Sequence, residues 1–513
     1  MNRIIPENNE IASPIPASST EPILESGHEA ANILLRNSSF FLGADTIIKI
    51  LSFIFNVYVV RQLGDERFGF YSAALAYAGI FSIIGDLGMT QYATREIARG
   101  RHKADDLFWN LVILRLMLAV VATTLITLSA HYIAGYNLQM VFGIFLVCIG
   151  FFFYAFSGPV EIVLSGKERI DYISIMTIIG QLGFVVFGTL VLVGGISFHG
   201  LIVATYIAVP VSALFGVRYI KRLNLATLKF KITPGIWASI IKHSLPFALI
   251  TFTLVAATDL DTVLLSLWRS PHEVGWYKAA YNLVFKLLFI RGALLTTLTP
   301  QMSRYYGVSS ARVGKTFNAS FKILWMFSLP IALGTSVLAR PIITFLYTDE
   351  FVNSATVLAI LIWALPLLNL SSLCGSVTTA TDKEKKAAQV YTTAAIINLV
   401  TNLIAIPIWG YVGAAVATVI TEAVALILFY SVLHSEFPLT DITNTLVKPA
   451  IAAGVMAIVV FMFIHLPLLV LTVVGAVVYG AVLLALKPFN TLEIELLWSI
   501  FATVRSKLGW GTT

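Results

Sequence analysis

Charge is scarce in this chain. Asp, Glu, Lys and Arg supply 12% of its 513 residues and hydrophobic residues 58%, giving a mean hydropathy of +0.86. A soluble core of this length is less apolar, so an ordinary soluble domain is excluded. Cysteine is scarcer still. Cys148 and Cys374 each sit inside an apolar block, and no disulfide framework or cysteine-based metal cluster can be built from them. The histidines, among them His131, His199, His243 and His272, stand mostly at the ends of apolar blocks without metal-ligand spacing. No GxxxxGK[ST] loop is present, so there is no built-in ATPase. The polar segments between blocks are short, the longest running over 223–242, which leaves no room for a catalytic domain. Neither an enzyme, nor a cofactor, nor a metal site is expected.

What is present is a series of apolar blocks of roughly 20 residues, the length that crosses about 30 Å of hydrocarbon. The blocks are continuous and do not alternate with period two, which excludes an outer-membrane barrel. The reading is an all-α polytopic membrane protein with about fourteen transmembrane helices. Residues 1–37 ("PENNEIASPIPASSTEPILESGHEA" among them) are polar and rich in Pro, Ser, Asn and Glu, and predict a disordered extension, with no charged segment and apolar run to mark a cleaved signal.

Orientation follows from Lys and Arg in the loops. With the N-terminus in the cytoplasm, the inner segments hold 25 of the 34 basic residues, and the outer loops hold three, Arg61, Arg67 and Arg269. Both termini are therefore expected inside, in a multi-pass protein of the cytoplasmic (inner) membrane. The net charge of +7 is a topology signal and does not point to nucleic acid.

The chain also repeats itself. "FGFYSAA" at 68–74 matches "VGWYKAA" at 274–280, and "NSSFF" at 37–41 matches "HSLPF" at 243–247. "GKER" at 166–169 matches "DKEK" at 382–385, and "GLIVAT" at 200–205 matches "GAAVAT" at 413–418. Four matches in one order, with offsets of 206 to 216 residues, predict a duplicated six-helix unit. Six is even, so the halves enter the membrane in the same direction, as parallel repeats with a substrate path between them. The expected organisation is an N-lobe over 38–222, a cytoplasmic linker at 223–242, a C-lobe over 243–435, two further helices in 436–490 and a cytoplasmic tail at 491–513.

Six cations remain inside the blocks, and "GWYKAAYNLVFKLLFIRG" (275–292) holds three of them. A charge at membrane depth is costly and faces protein or a wet cavity. Lys278 lies near the outer boundary, where its stem can snorkel, whereas Lys286 lies near the midplane. Lys278, Asn282 and Lys286 are spaced i, i+4, i+8, with Tyr277, Tyr281, Phe285 and Phe289 alongside, so one helix face is cationic with an aromatic margin. Arg291 points about 140° away from Lys286. Such a face suits an anionic, ring-bearing ligand; alternatively Asp259 or Asp261 on the preceding helix neutralises Lys286. In the first half, Asp45, Lys49, Asp86 and Arg115 either neutralise one another or, through Lys49, line a path. Glu422, near the middle of its block, is either protonated or part of an ion-coupling site.

Arg61–Gly100 reads Arg61, Leu63, Gly64, Phe68, Gly69, Tyr71, then Asp86-Leu87-Gly88-Met89, then Arg95-Glu96. This order resembles the second-helix region of the polysaccharide-biosynthesis flippases, the Wzx-type O-antigen and oligosaccharide transporters within the multidrug, oligosaccharidyl-lipid and polysaccharide exporter superfamily. Ala339–Leu367 ("ARPIITFLYTDEFVNSATVLAILIWALPL") is similar to the family's ninth-to-tenth helix junction. The resemblance implies flipping of a polyprenyl-diphosphate-linked oligosaccharide, an O-antigen or exopolysaccharide repeat unit, across the cytoplasmic membrane by alternating access. Lys49, Lys278, Asn282, Lys286, Arg291 and Tyr281 are then the expected substrate contacts. Asp45, Asp86, Arg115, Asp259, Asp261 and Glu422 are the candidates for ion coupling or charge pairing. The implied partners are the lipid-linked oligosaccharide, the bilayer, and polymerase and chain-length proteins of the same pathway. A lipid II flippase and a cation-coupled multidrug exporter of the same superfamily are the alternatives.

Overall fold

The computed structural model describes residues 21–306 and 308–487, with side chains from residue 48 onward except at 254, 289, 290, 293, 294, 296, 297 and 300. Every long element among the described residues is an α-helix. The N-lobe comprises α1 (Glu21–Phe81), α2 (Ile83–Asp86), α3 (Met89–Ala98), α4 (Ala104–Tyr132), α5 (Leu138–Gly166), α6 (Ile170–Val193), α7 (Phe198–Ile207) and α8 (Val209–Arg222). The C-lobe comprises α9 (Trp237–Trp268), α10 (Pro271–Lys286), α11 (Phe289–Tyr306), α12 (Ser310–Val337), α13 (Ala339–Leu346), α14 (Ser354–Leu361), α15 (Ala364–Ala380) and α16 (Glu384–Leu433). Beyond it stand α17 (Lys448–Met462) and α18 (Leu468–Leu486).

The repeat is visible in where the helices break. Helix α1 gives way at Ser82, between Phe81 and Ile83, and its C-lobe counterpart breaks at Leu287–Leu288, between α10 and α11. Helices α4 and α12 begin at Ala104 and Ser310, the same 206 residues apart as the "FGFYSAA" and "VGWYKAA" matches. The two lobes are therefore pseudo-symmetric copies of one unit. Helices α17 and α18 lie outside the repeat, α17 against α12, while α18 fully buries Leu471, Gly475 and Leu483, half-buries Tyr479 and Val482 beside them, and exposes apolar side chains such as Leu469, Val473, Val477 and Leu484.

Ten described helices are long and apolar enough to cross a membrane, or eleven if one bent pair counts as a single span. That number counts α16 once, although its backbone is non-helical at Gly410 (φ 57), as that of α1 is at Gly64 (φ 73), the points where sequence reading separates two spans; the cation-bearing α10–α11 region is broken as well. Two expectations change. Helix begins at Glu21, inside the segment 1–37 expected to be disordered, while residues 1–20 and the tail 491–513 lie outside the described residues. Finally, the linker 223–242 already contains the start of α9 at Trp237.

Burial shows how the lobes meet. Toward the end expected to face outward, one continuous apolar cluster joins both lobes, running from Phe55, Phe68 and Tyr77 to Leu265, Tyr277 and Phe351. Toward the opposite end the cores separate, one in the N-lobe around Phe108, Leu111 and Leu164, the other in the C-lobe around Phe317, Leu373 and Phe429. The outer seam is closed by backbone. A Cβ on Gly69 would overlap the Pro271 carbonyl, and one on Gly275 would overlap the Asp65 carbonyl, so α1 and α10 cross at a distance that only glycine permits. Around this crossing, Trp276 Nε1 donates to Asp65 Oδ2 and to the Glu350 carbonyl, both at 2.9 Å, and His272 Nδ1 lies 3.0 Å from Asp65 Oδ1. Arg61 donates to the carbonyls of Phe345 (2.5 Å) and Leu346 (2.6 Å).

The inner seam is narrower. Gly88 (φ 76) abuts the backbone of Ser244, Phe247 and Ala248 in α9. Around it, Gln91 Nε2 donates to Thr251 Oγ1 at 3.2 Å, the ring of Tyr92 stacks on His243 at 6.0 Å, and the Arg95 guanidinium lies 4.9 Å from the Phe247 ring. The middle of the molecule, where Lys286 sits, is thus flanked by a broad seam and a thin one.

Candidate functional site

Helix α10 starts with Ser270 as N-cap, its hydroxyl accepting from the Glu273 amide, and Pro271 at the first helical position. It then runs to Lys286 and stops. At the break the Leu287 and Leu288 amides turn back onto the Val284 and Phe285 carbonyls, so Lys286 occupies a helix C-terminus, where a cation is favoured. Its Nζ donates to the Ser52 carbonyl of α1 at 3.2 Å and lies 5.4 Å from the Phe53 ring. Both contacts cross from the C-lobe to the N-lobe. Among the described residues, Lys286 has no carboxylate in ion-pair contact.

Neutralisation falls on its neighbour two turns earlier. Lys278 Nζ lies 3.0 Å from Asp259 Oδ1 and 3.4 Å from Thr262 Oγ1, and sits over the Tyr281 ring at 4.7 Å. The expected pairing of Lys286 with Asp259 or Asp261 is therefore corrected: Asp259 takes Lys278, whose stem turns back onto α9 instead of outward. The sequence pattern misleads here because both lysines share one face. What decides is depth, since Asp259 on the antiparallel α9 lies level with Lys278. The aromatic margin is present: Tyr277 and Tyr281 are 5.8 Å apart, and Tyr281 stacks on Phe285 at 3.9 Å and 12°. Asn282 is half-buried between the two lysines.

Asp261 is buried and holds a different network. It accepts from Tyr277 Oη (2.9 Å), Asn402 Nδ2 (2.7 Å) and Thr418 Oγ1 (2.9 Å). Asn398 extends this network, accepting from Asn402 at 3.2 Å and donating to Thr421 Oγ1 at 3.3 Å. Asn402 Oδ1 is buried and has no hydrogen-bond partner among the described residues. Asn398, Asn402, Thr418 and Thr421 were not picked out from sequence. The signal was there, as an Asn pair at i, i+4 and a Thr pair at i, i+3 in otherwise apolar stretches.

Arg291 faces away from Lys286, into the C-lobe, where its Nη1 donates to Ser372 Oγ at 2.8 Å. The adjacent Ser371 donates to Glu422 Oε2 at 3.2 Å. In the N-lobe, Arg115 forms an ion pair with Asp86 and donates to Thr90 Oγ1 at 2.6 Å, and Thr90 Oγ1 donates in turn to Asp86 Oδ1 at 2.8 Å. Lys49 is exposed on α1, and the side chain of Asp45 lies outside the described residues. The structure thus gathers Lys278, Tyr281, Asn282 and Lys286 on one helix between the lobes. Arg115 and Asp86 pair with each other inside the N-lobe, and the buried Arg115 Nε has no hydrogen-bond partner among the described residues.

Two pseudo-symmetric helical lobes meeting at two seams, with a cation between them, define a polytopic membrane transport protein rather than an enzyme. The family model described as "Polysaccharide biosynthesis protein" matches residues 34–306, more than half of the chain, and the chain belongs to that family. The MatE model matches residues 246–404. Among relatives, a protein named as a low-salt glycan biosynthesis flippase of Haloferax volcanii is 22% identical over 411 residues, covering 79% of this chain and 85% of the relative. A protein named as an O-antigen transporter of Escherichia coli K12 is 22% identical over 403 residues, covering 74% and 91%. The solved structure of a lipid II flippase in an inward closed conformation superposes with a TM-score of 0.69 at 15% identity, covering 86% of this chain and 97% of the other, a likeness of fold.

Proposed function

We propose that this protein flips a polyprenyl-diphosphate-linked oligosaccharide, such as an O-antigen or exopolysaccharide repeat unit, from the cytoplasmic to the outer leaflet by alternating access. The observation that carries the reading is Lys286. It is a half-buried ammonium between the lobes, held by a carbonyl and a ring but by no carboxylate among the described residues. A phosphate oxygen is a stronger acceptor than a peptide carbonyl, and a charge-assisted bond to it is about twice as strong as a neutral one. Lys278, already balanced by Asp259, adds a second donor at the same face, and the Tyr281–Phe285 stack offers a flat surface to a sugar ring. The prenyl chain stays in lipid. Substrate binding separates the thin inner seam, and release requires opening the broad outer one.

Flippase and O-antigen transporter are the names of the relatives, and the local chemistry agrees with both. A lipid II flippase shares the diphosphate requirement. A multidrug exporter for cationic compounds fits less well, because Lys286 repels them. For energy input we assign Asp261, whose hydroxyl and amide shell and unused Asn402 oxygen suit exchange of a proton or a monovalent cation.

The test is deletion of the gene followed by mass analysis of lipid-linked oligosaccharides. Accumulation on the cytoplasmic side is expected, with recovery by wild type and none by Lys286→Ala at equal protein level. Normal glycan export in the Lys286→Ala strain would sink the assignment.

A further inference from the structure

Below the lysine face, the C-lobe holds a second set of polar groups that the diphosphate does not use. Arg291 lies five residues past Lys286, beyond the break, near the start of α11. It and Glu422 rest on consecutive residues of α15, Arg291 on Ser372 and Glu422 on Ser371. Neighbouring positions on a helix diverge by about 100°, so the two serines hold the guanidinium and the carboxylate apart. Each feels the other's field, yet among the described residues the two make no ion-pair contact. Donor and acceptor capacity is left over on both, since a guanidinium has five N–H groups and a carboxylate about four acceptor sites.

An aromatic ring closes the set on one side. Tyr391 of α16 lies within electrostatic reach of both Arg291 and Glu422, edge-on to Phe429 at 4.9 Å, and largely exposed. Its hydroxyl sits where a Cβ on residue 375 would come within 2.6 Å, so Gly375 keeps that space clear.

The chemistry narrows the ligand. Glu422 repels a phosphate and Arg291 repels a cation, so neither suits this position. A neutral, polyhydroxylated ring suits both: a carboxylate accepts from two adjacent hydroxyls, a guanidinium donates to hydroxyl or ring oxygens, and a tyrosine covers the apolar face. We propose that Arg291, Glu422 and Tyr391 form a sugar subsite, which reads the residue or residues next to the diphosphate and selects which lipid-linked glycan is carried. The proposal rests on the diphosphate reading of Lys286 and adds specificity to it.

The wild-type protein in nanodiscs is titrated with farnesyl diphosphate and with the same lipid carrying one glucose, galactose, N-acetylglucosamine or galacturonate. At least one glycosylated probe is expected to bind about tenfold tighter than farnesyl diphosphate, the increment of one charge-assisted hydrogen bond. Glu422→Gln and Arg291→Gln should each erase that gain while still binding farnesyl diphosphate, which also shows that they are folded. Arg291→Lys should keep part of the gain, and Lys286→Ala should weaken every probe alike. The proposal is overturned if no glycosylated probe gains over farnesyl diphosphate, or if both Gln variants keep the gain. Tight binding of a glycosylated probe with none of farnesyl diphosphate would support the subsite and overturn the diphosphate reading instead.

Discussion

Arg115 and Lys286 are both cations far from either end of an apolar helix bundle, one in each lobe, and the two lobes treat them differently. Arg115 is enclosed in the N-lobe, its side chain 7% exposed, and its charge is met by Asp86 and Thr90 within reach of the same few turns. Lys286 reaches out of its lobe to a backbone carbonyl of the other. The Arg115–Asp86 pair lies within one lobe and holds its fold in place, although the buried Arg115 Nε has no hydrogen-bond partner among the described residues. A half-buried cation met, among the described residues, by a carbonyl and a ring is already poised to exchange those contacts for something better. Position in the repeat makes the point sharper: at the 206-residue offset Lys286 stands where the first lobe has Ile80, and that residue is buried in the shared core. The fold does not demand a cation there.

Substitution separates the two roles. Arg115→Ala leaves the Asp86 carboxylate without its cation, held by Thr90 alone, and is expected to have the largest effect on folding, about 3 kcal/mol. Thermal unfolding in detergent measures it, and Arg115→Leu with Asp86→Leu should recover most of the loss, since replacing both members removes the uncompensated charge. Lys286→Ala is expected to do the reverse. Stability should hold or rise slightly, because a poorly compensated buried charge disappears, while transport falls to background in a reconstituted flipping assay. If Lys286→Ala unfolds as readily as Arg115→Ala, the contrast between the lobes is wrong.

Most of the fold was legible because its signals are long-range and redundant. Apolar blocks, the bias of Lys and Arg between loops, and four ordered matches give the helical class and the two-lobe repeat together. Two of the span boundaries were legible too: the backbone leaves helical φ/ψ at Gly64 and Gly410, where hydropathy reads interruptions. At the site, the i, i+4, i+8 spacing put Lys278, Asn282 and Lys286 on one face, which needs only helical geometry. It did not say which lysine Asp259 takes, since that depends on the relative heights of α9 and α10. Nor did it find Ser52 or Asn402, which act through tertiary neighbours 234 and 141 residues away in sequence.

The two seams give a second comparison, and a glycine in each provides a way to break it. Gly69→Ala places a methyl group against the Pro271 carbonyl, backbone that cannot swing aside, so the broad outer seam should be forced open. Spin labels on exposed outer positions of the two lobes should then report longer distances and a smaller closed population. Gly88→Ala meets backbone as well and adds left-handed strain of about 1 kcal/mol, but the seam it disturbs is thin and its partners fewer. Its effect on the inner distance should be clear, and on thermal stability smaller than that of Gly69→Ala.

The smallest effect is expected at Trp276. Its indole N–H is shared between Asp65 Oδ2 across the outer seam and the Glu350 carbonyl within the C-lobe, so Trp276→Phe removes one contact between the lobes while keeping an aromatic ring against Tyr411, 5.3 Å away. Asp65 is not stranded by the change. It still has His272 Nδ1 at 3.0 Å and the Glu66 amide, which donates to Oδ1 at 2.7 Å. The Glu350 carbonyl lies at an exposed residue where water replaces the donor. The loss across the seam is then at most that of one hydrogen bond, about 1 kcal/mol, and it falls on the closed state alone, because the Asp65 contact exists only while the lobes meet. A fivefold shift toward the open state in the same distance measurement, with thermal stability near wild type, is the expected result. A shift as large as that of Gly69→Ala would mean that the outer seam is held by its polar rim and not by the glycine crossing.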